Sequence, residues 1–139
     1  MNELMVQEFH QSRDQGLIVL LDLWQPAHPS ASDIERVELA VSFTATICVE
    51  HLRQTRGFEQ LLTICGRQST SLRYTTIGQA VESLLDTLSL VEGGSSEGLT
   101  KAITDASLSM NSLMRCVLIT SRQKQVDLDS HLPTGGLPN

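Results

Sequence analysis

An uninterrupted apolar run, Leu-Ile-Val-Leu-Leu at residues 17–21, constrains the fold of this chain more than any other feature. Successive side chains of a strand point to opposite faces, so a strand made of this run needs cover on both faces. Strands of this kind lie at the centre of parallel sheets, with helices on either side. The runs at 61–65 and 116–119 predict two further strands of the same type, and residues 5–10 predict a weaker strand at an edge.

Helical patterns lie between these runs. The motif Ser32-x-x-Glu35 predicts a capping box at the start of a first helix, in which each side chain satisfies a free backbone N–H of the first turn. Ile34, Val37 and Cys48 then fall on one apolar face at helical spacing. A second helix is predicted to open at Thr76, and residues 99–110 predict a third.

The strand at 61–65 is followed by Gly-Arg-Gln and then by residues 71–74, which predicts a hairpin with an antiparallel strand at the sheet edge. From the strand at 17–21 onward, the predicted order is strand, helix, strand, hairpin strand, helix, helix, strand. This order predicts an α/β fold, a three-layer sandwich with a mostly parallel sheet. We assign residues 1–122 to this single domain and 123–139 to a flexible polar tail.

Composition and charge exclude several classes of function. The net charge is -6 and the arginines are spread between different elements, which argues against nucleic acid as a partner. The sequence has no membrane-length apolar segment and no basic leader, so we expect a cytoplasmic domain without a membrane segment. The three cysteines are either reactive thiols or small buried hydrophobes, and their apolar surroundings favour burial.

The first strand ends in Asp22, which places a carboxylate at the carboxyl edge of the sheet, where open α/β sheets bind ligands. Residues 17–26, the hairpin after Phe58 and the strand end Leu-Ile-Thr-Ser at 118–121 carry a resemblance to a known family. Over about residues 5–122 the chain resembles a von Willebrand factor A-like domain. It is most similar to the C-terminal domain of the bacterial domain of unknown function 58 family.

The resemblance implies a metal-ion-dependent adhesion site, built in this family from Asp-x-Ser-x-Ser, a threonine loop and an aspartate after the fourth strand. Magnesium needs such convergent oxygen ligands. Here the corresponding segments are Asp22-Leu23-Trp24-Gln25-Pro26, Gly93-Gly94-Ser95 and Thr120-Ser121-Arg122. Two serines and the second aspartate are replaced, and Arg122 opposes a cation. We therefore expect a degenerate site with no metal and no cofactor, in which Asp22 caps backbone N–H groups.

The resemblance further implies relatives with upstream membrane helices and a β-rich segment, and a MoxR-type AAA+ ATPase as partner. On this resemblance, we expect the chain to be a truncated or minimal version of the fold. We expect a non-catalytic protein-interaction module. Trp24 either anchors the partner, as tryptophan often does, or packs under the first helix. The expected binding residues are Asp22, Trp24, Gln25, His28, Ser95, Ser96 and Ser121.

Two alternatives remain open. Gly94-Ser95-Ser96-Glu97-Gly98 matches Gly-x-Ser-x-Gly, so Ser96 is the nucleophile of an alternative serine hydrolase, with Asp105 or Asp127 and His131 following. That motif needs a strand before the serine, whereas a helix is predicted there. The other alternative is a homodimer formed through an exposed sheet edge, where unpaired backbone groups favour strand pairing.

Overall fold

The structure is a computed structural model that describes residues 4–8, 16–54, 59–74, 79–95, 97–109 and 114–122. The tail expected at residues 123–139 lies outside the described residues, as do the expected second-helix start at Thr76 and the end of the third helix at Met110. None of the described helices is long and apolar enough to cross a membrane.

Strands and helices follow one another in the predicted order. They are β1 (Met5–Glu8), β2 (Gly16–Asp22), α1 (Ala31–Gln54), β3 (Gln60–Cys65), β4 (Ser69–Tyr74), α2 (Gln79–Leu90), α3 (Leu99–Ser109) and β5 (Met114–Thr120). The strands form one sheet in the order β1-β5-β2-β3-β4, so β2 lies at its centre. The prediction of an α/β fold with a central strand at residues 17–21 is confirmed.

The sheet is mixed rather than mostly parallel. The central strands β5, β2 and β3 are parallel, whereas β1 pairs antiparallel with β5 and β4 pairs antiparallel with β3. The β4 hairpin was predicted, but the orientation of β1 was not. Only residues 9–15 separate β1 from β2, and a parallel arrangement needs a crossover of a dozen residues or more. Because the connection is short, the end of β1 and the start of β2 lie at the same end of the sheet, and β1 runs antiparallel to β5 and β2.

Helices cover both faces of the sheet, which confirms the three layers. All seven residues of β2 are buried. Leu17, Val19 and Leu21 face a core shared with α1 and α2, and Ile18 and Leu20 face a second core shared with α3. Alternate side chains thus divide between the two cores, and this explains why the apolar run has no polar interruption. The cysteines are buried and free, as expected.

The start of α1 differs from the prediction. Ser30, and not Ser32, caps the helix: its hydroxyl accepts the Asp33 backbone N–H at 3.1 Å, and Asp33 Oδ2 accepts the Ser30 N–H at 2.9 Å. The reciprocal bonds of a capping box are therefore present, shifted by two residues. Ile34, predicted to be on the buried face, is 46% exposed, whereas Val37 and Cys48 of the same predicted face are buried.

Candidate functional site

The carboxyl edge of the sheet brings together the ends of β2 and β5. These strands are parallel neighbours in a register that pairs Asp22 with Thr120. Trp24 and Gln25 follow β2, and Ser121 and Arg122 follow β5, so side chains about 100 positions apart in the sequence meet at one edge. Four of the expected binding residues, Asp22, Trp24, Gln25 and Ser121, lie here.

Asp22 is almost completely buried, with 1% of its surface exposed. Its Oδ2 accepts the Thr120 hydroxyl at 2.7 Å and Nε of Arg122 at 2.6 Å. The expectation that this carboxylate caps backbone N–H groups is wrong, because a hydroxyl and a guanidinium are its partners instead. A buried carboxylate needs such partners, since an isolated charge in the interior is strongly unfavourable.

Arg122 joins three neighbours at this edge. Besides Asp22, its Nη2 donates to Oε2 of Glu97 at 3.2 Å, and its Cζ lies 5.5 Å from the centre of the Trp24 ring. That distance is within the range of a cation–π interaction. Burial acts to lower the pKa of Arg122, but the hydrogen bond and charge of Asp22, with those of Glu97, outweigh it and raise the pKa. The guanidinium is therefore a permanent cation held against Asp22.

Ser121 ties the end of β5 to the segment that follows β2. Its backbone N–H donates to the Asp22 carbonyl at 2.9 Å, and its hydroxyl donates to the Trp24 carbonyl at 2.6 Å. The residue is buried, with 3% of its surface exposed. Although Ser121 was expected to bind a partner, its polar groups serve the internal structure of the edge.

A second arginine holds the same strand end from the helical side. Arg36 of α1 is buried, and its Nε donates to the Ser121 carbonyl at 3.1 Å. Its remaining nitrogens donate to the Ser32 hydroxyl and to the Asp33 carboxylate. The start of α1 and the end of β5 are thereby fixed relative to each other.

The chain between α2 and α3 crosses this edge, because the two helices cover opposite faces of the sheet. Gly94 forms a parallel bridge with Trp24, donating to the Leu23 carbonyl and accepting the Gln25 N–H, each at 3.0 Å. Farther along the edge, the Arg67 N–H donates to the Glu92 carbonyl at 2.8 Å. The crossing segment therefore covers the carboxyl ends of β2 and β3.

Glycines allow the crossing segment to approach so closely. A Cβ atom on Gly94 would lie 2.8 Å from Cα of Arg67, and one on Gly66 would overlap the Glu92 carbonyl oxygen. Gly93 is similarly close to the side chain of Gln25, whose Nε2 donates to the Gly93 carbonyl at 3.3 Å. Side chains at these positions would push the segment off the edge.

The side chains at this edge do not fit a hard divalent cation. The bonded oxygen of Asp22 already accepts from a hydroxyl and a guanidinium, and Trp24 and Pro26 supply no side-chain oxygen. Within the part of the chain that the structure describes, no three His, Cys, Asp or Glu side chains are grouped so that they could hold a metal ion. The charge that a cation would provide comes here from Arg122.

The remaining expected residues lie outside this network. His28 and Ser95 are exposed, and Ser96 lies outside the described residues, as do Asp127 and His131 of the hydrolase alternative. Asp105 is exposed on α3. Before the serine motif the described chain has the end of α2 and only the single bridge at Gly94, where a nucleophile elbow has a strand.

The roles of Thr120 and Arg36 were not predicted from the sequence, and Arg122 was expected only as a charge that opposes a cation, not as the partner of Asp22. For Arg36 a signal existed, because residues three and four apart on a helix are neighbours and Ser32 and Asp33 stand at those spacings. For Thr120 and Arg122 the sequence pattern was less informative, because their contact with Asp22 also requires that β2 and β5 are neighbouring strands.

Comparisons with known protein families, with curated proteins and with solved structures find no match to this chain. The class of protein that the structure itself defines is an α/β domain whose carboxyl edge carries an internal ion pair between Asp22 and Arg122.

Four side chains form the solvent-facing part of this edge: Trp24, Ser95, Glu97 and Arg122. We call them the Trp24 surface. Trp24 is half-buried and belongs to neither core, Ser95 is exposed, and the side chain of Glu97 is 71% exposed. An aromatic ring held against a fixed guanidinium is a rigid surface, and binding to it orders few additional side chains.

Proposed function

We propose that the domain is a non-catalytic protein-interaction module that binds its partner through the Trp24 surface without a metal ion. The observation that carries the proposal is the contact of Arg122 with both Asp22 and Trp24. The guanidinium of Arg122 neutralises the buried Asp22 carboxylate, so no external cation is needed. An aromatic and charged surface remains at the edge where open α/β sheets bind ligands. Tryptophan and arginine are the side chains most enriched in binding hot spots.

The polar groups of the edge support a binding role over a catalytic one. Asp22, Thr120, Ser121 and Arg36 all hydrogen-bond to one another or to the backbone. A general base or nucleophile needs a lone pair or proton that is available to a substrate. Oδ2 of Asp22, the hydroxyls of Thr120 and Ser121 and the guanidinium of Arg36 have theirs engaged in holding β2, β5 and α1 together.

For the partner, we propose a MoxR-type AAA+ ATPase, on the basis of the resemblance to the domain of unknown function 58 family. We place the domain in the cytoplasm because its three buried, free thiols suit a reducing compartment.

The single tryptophan of the chain allows a direct test. The domain is labelled with 5-fluorotryptophan and titrated with the purified MoxR-type ATPase of the same organism, and the one ¹⁹F resonance is followed. We expect the resonance to shift saturably, and Arg122→Ala to weaken binding at least tenfold.

Leu108→Ala is the matched control, because Leu108 lies on α3 and is 81% exposed, away from the carboxyl edge. Its affinity should equal that of the unsubstituted domain. Binding that leaves the tryptophan resonance unchanged would place the partner elsewhere, and the absence of binding would contradict the proposed partner.

A further inference from the structure

The hydroxyl of Thr120 bonds to both members of the ion pair at the carboxyl edge. It donates to Oδ2 of Asp22 at 2.7 Å, and it accepts the backbone N–H of Arg122 at 3.0 Å. A hydroxyl has one proton to donate and two lone pairs, so one side chain satisfies both contacts. Thr120 is buried, with 2% of its surface exposed, so solvent competes little for either bond.

Arg122 lies beyond the end of the strand ladder. β5 ends at Thr120, and the last residue pair in its register with β2 is Asp22 with Thr120. The N–H of Ser121 still bonds back to the Asp22 carbonyl. At the next residue the Thr120 hydroxyl takes the place of the ladder as acceptor, so it fixes the backbone from which the guanidinium of Arg122 extends.

Thr120, Asp22 and Arg122 thereby form a closed ring of hydrogen bonds. The Thr120 hydroxyl and Nε of Arg122 both donate to the same oxygen, Oδ2 of Asp22, at 2.7 and 2.6 Å. The backbone N–H of Arg122 closes the ring at the hydroxyl. An arginine side chain has many rotamers, so holding it in one position needs constraints at both of its ends. The ring constrains Arg122 at its backbone and at its guanidinium.

From this ring we infer that Thr120 is a positioning residue of the Trp24 surface. Thr120 acts through Arg122: it sets where the guanidinium lies against the ring of Trp24, whose centre is 5.5 Å from Cζ. Thr120 itself is buried and does not contact a partner. The consequence for binding rests on the proposed function, because a surface already held in its bound arrangement binds more tightly. The position of Arg122 in the free domain does not depend on a partner.

Two substitutions at Thr120 separate the hydroxyl from the rest of the side chain. Thr120→Val removes the hydroxyl and keeps the branched shape, whereas Thr120→Ser keeps the hydroxyl and removes a methyl group. Both are compared in the free domain labelled with 5-fluorotryptophan, by the ¹⁹F shift of Trp24 and by the solvent exchange of the Arg122 Nε–H. Thr120→Val should shift the resonance and speed the exchange about fivefold, as the loss of one hydrogen bond implies. Thr120→Ser should leave both signals close to those of the unsubstituted domain.

Thr44→Val is the matched control. Thr44 is fully buried in α1, and its hydroxyl has no hydrogen-bond partner among the residues that the structure describes. The same exchange of a hydroxyl for a methyl group at Thr44 should leave both signals unchanged. A loss of stability alone does not move the chemical shift of the folded domain, so the comparison separates positioning from stability. The inference is overturned if Thr120→Val leaves both signals unchanged, or if Thr120→Ser or Thr44→Val changes them as much.

A measurement on the unsubstituted domain covers the case in which Thr120→Val does not fold. The backbone amide proton of Arg122 should exchange slowly with solvent, because the Thr120 hydroxyl accepts it. Exchange as fast as in an unstructured chain would overturn the inference without any substitution.

Titration with the MoxR-type ATPase separates this inference from the proposed function. Thr120→Val should weaken binding about fivefold, and Thr120→Ser should not. Equal affinities of the unsubstituted domain and of Thr120→Val would overturn the role of Thr120 in binding. If the ATPase does not bind, the proposed partner fails, and the measurements on the free domain still decide whether Thr120 positions Arg122.

Discussion

Nε of Arg122 lies 2.6 Å from Oδ2 of Asp22, and this contact joins the carboxyl ends of two neighbouring parallel strands. It also places a permanent positive charge against a carboxylate whose side chain is 2% exposed. The same two residues therefore link the ends of β2 and β5 and neutralise a buried charge. Through Arg122 they also position the ring of Trp24 in the Trp24 surface.

Removing the guanidinium should destabilise the fold. Arg122→Ala leaves the Asp22 carboxylate buried without its counter-charge, and breaking a buried pair from one side costs about 3–5 kcal/mol. Since Arg122 is partly exposed, we expect the lower end, about 3 kcal/mol, measured by urea denaturation. Glu97→Gln removes only the exposed end of the network and should change stability by less than about 1 kcal/mol. Equal effects of the two substitutions would contradict the described geometry.

The crossing segment gives a second prediction. Gly66→Ala places a methyl group against the Glu92 carbonyl, so either the turn after β3 or the crossing segment must move. Such overpacking costs about 1–3 kcal/mol. In Gly98→Ala the nearest atom to the added Cβ is Oγ of Ser69 at 3.4 Å, an ordinary contact, so this variant should lose less stability than Gly66→Ala. The two variants are compared by thermal denaturation. A lower melting temperature for Gly66→Ala than for Gly98→Ala would show that the loss comes from close packing at Gly66 and not from replacing any glycine by alanine.

The order of the elements was predictable because each buried strand is an apolar run and each helix has an apolar face. The position of Asp22 was predictable too, since a polar residue that ends a central strand lies at the carboxyl edge. The family resemblance placed Thr120 and Arg122 near Asp22, but their hydrogen bonds to its carboxylate were not predicted, because they depend on the register that pairs β5 with β2. The path of the segment between α2 and α3 over the carboxyl edge was not predictable either. It is held by backbone hydrogen bonds of Gly94 and Glu92, and backbone bonds produce no side-chain pattern in the sequence.

The helix cap offers a third prediction, at a position where the sequence was ambiguous. Both Ser30 and Ser32 precede an acidic residue by three positions, but only Ser30 caps α1. Ser30→Ala should lower stability by about 1 kcal/mol. Ser83→Ala is a suitable control because Ser83 is an exposed serine within α2. A denaturation series in which Ser83→Ala costs as much as Ser30→Ala would argue against the cap.

The thiols should be unreactive in the folded protein. Burial raises the pKa of Cys48 and of Cys116 to about 12. Burial, with the charge of Asp22, raises the pKa of Cys65 to about 11. A thiol reagent at pH 7.5 should therefore label none of the three in the native state and all three in denaturant, because the thiolate is the reactive form. Rapid labelling of one cysteine in the native state would contradict its burial.

The same shifts predict a loss of stability in alkali. The ordinary pKa of these thiols is 9.0, so above that pH the unfolded chain loses protons that the folded chain retains. Their contribution to stability is complete below pH 9 and is lost as the pH rises towards 11 and 12. Urea denaturation at pH 8 and at pH 10 should show the decrease, and a Cys48→Ala, Cys65→Ala, Cys116→Ala triple variant should show less of it.

We propose that the guanidinium of Arg122 supplies at Asp22 the positive charge that a metal ion would otherwise provide. Calorimetric titration of the unsubstituted domain with Mg²⁺ and Mn²⁺ should therefore show no saturable binding at micromolar to low millimolar concentrations. A saturable micromolar signal in the unsubstituted domain that Asp22→Ala abolishes would contradict it.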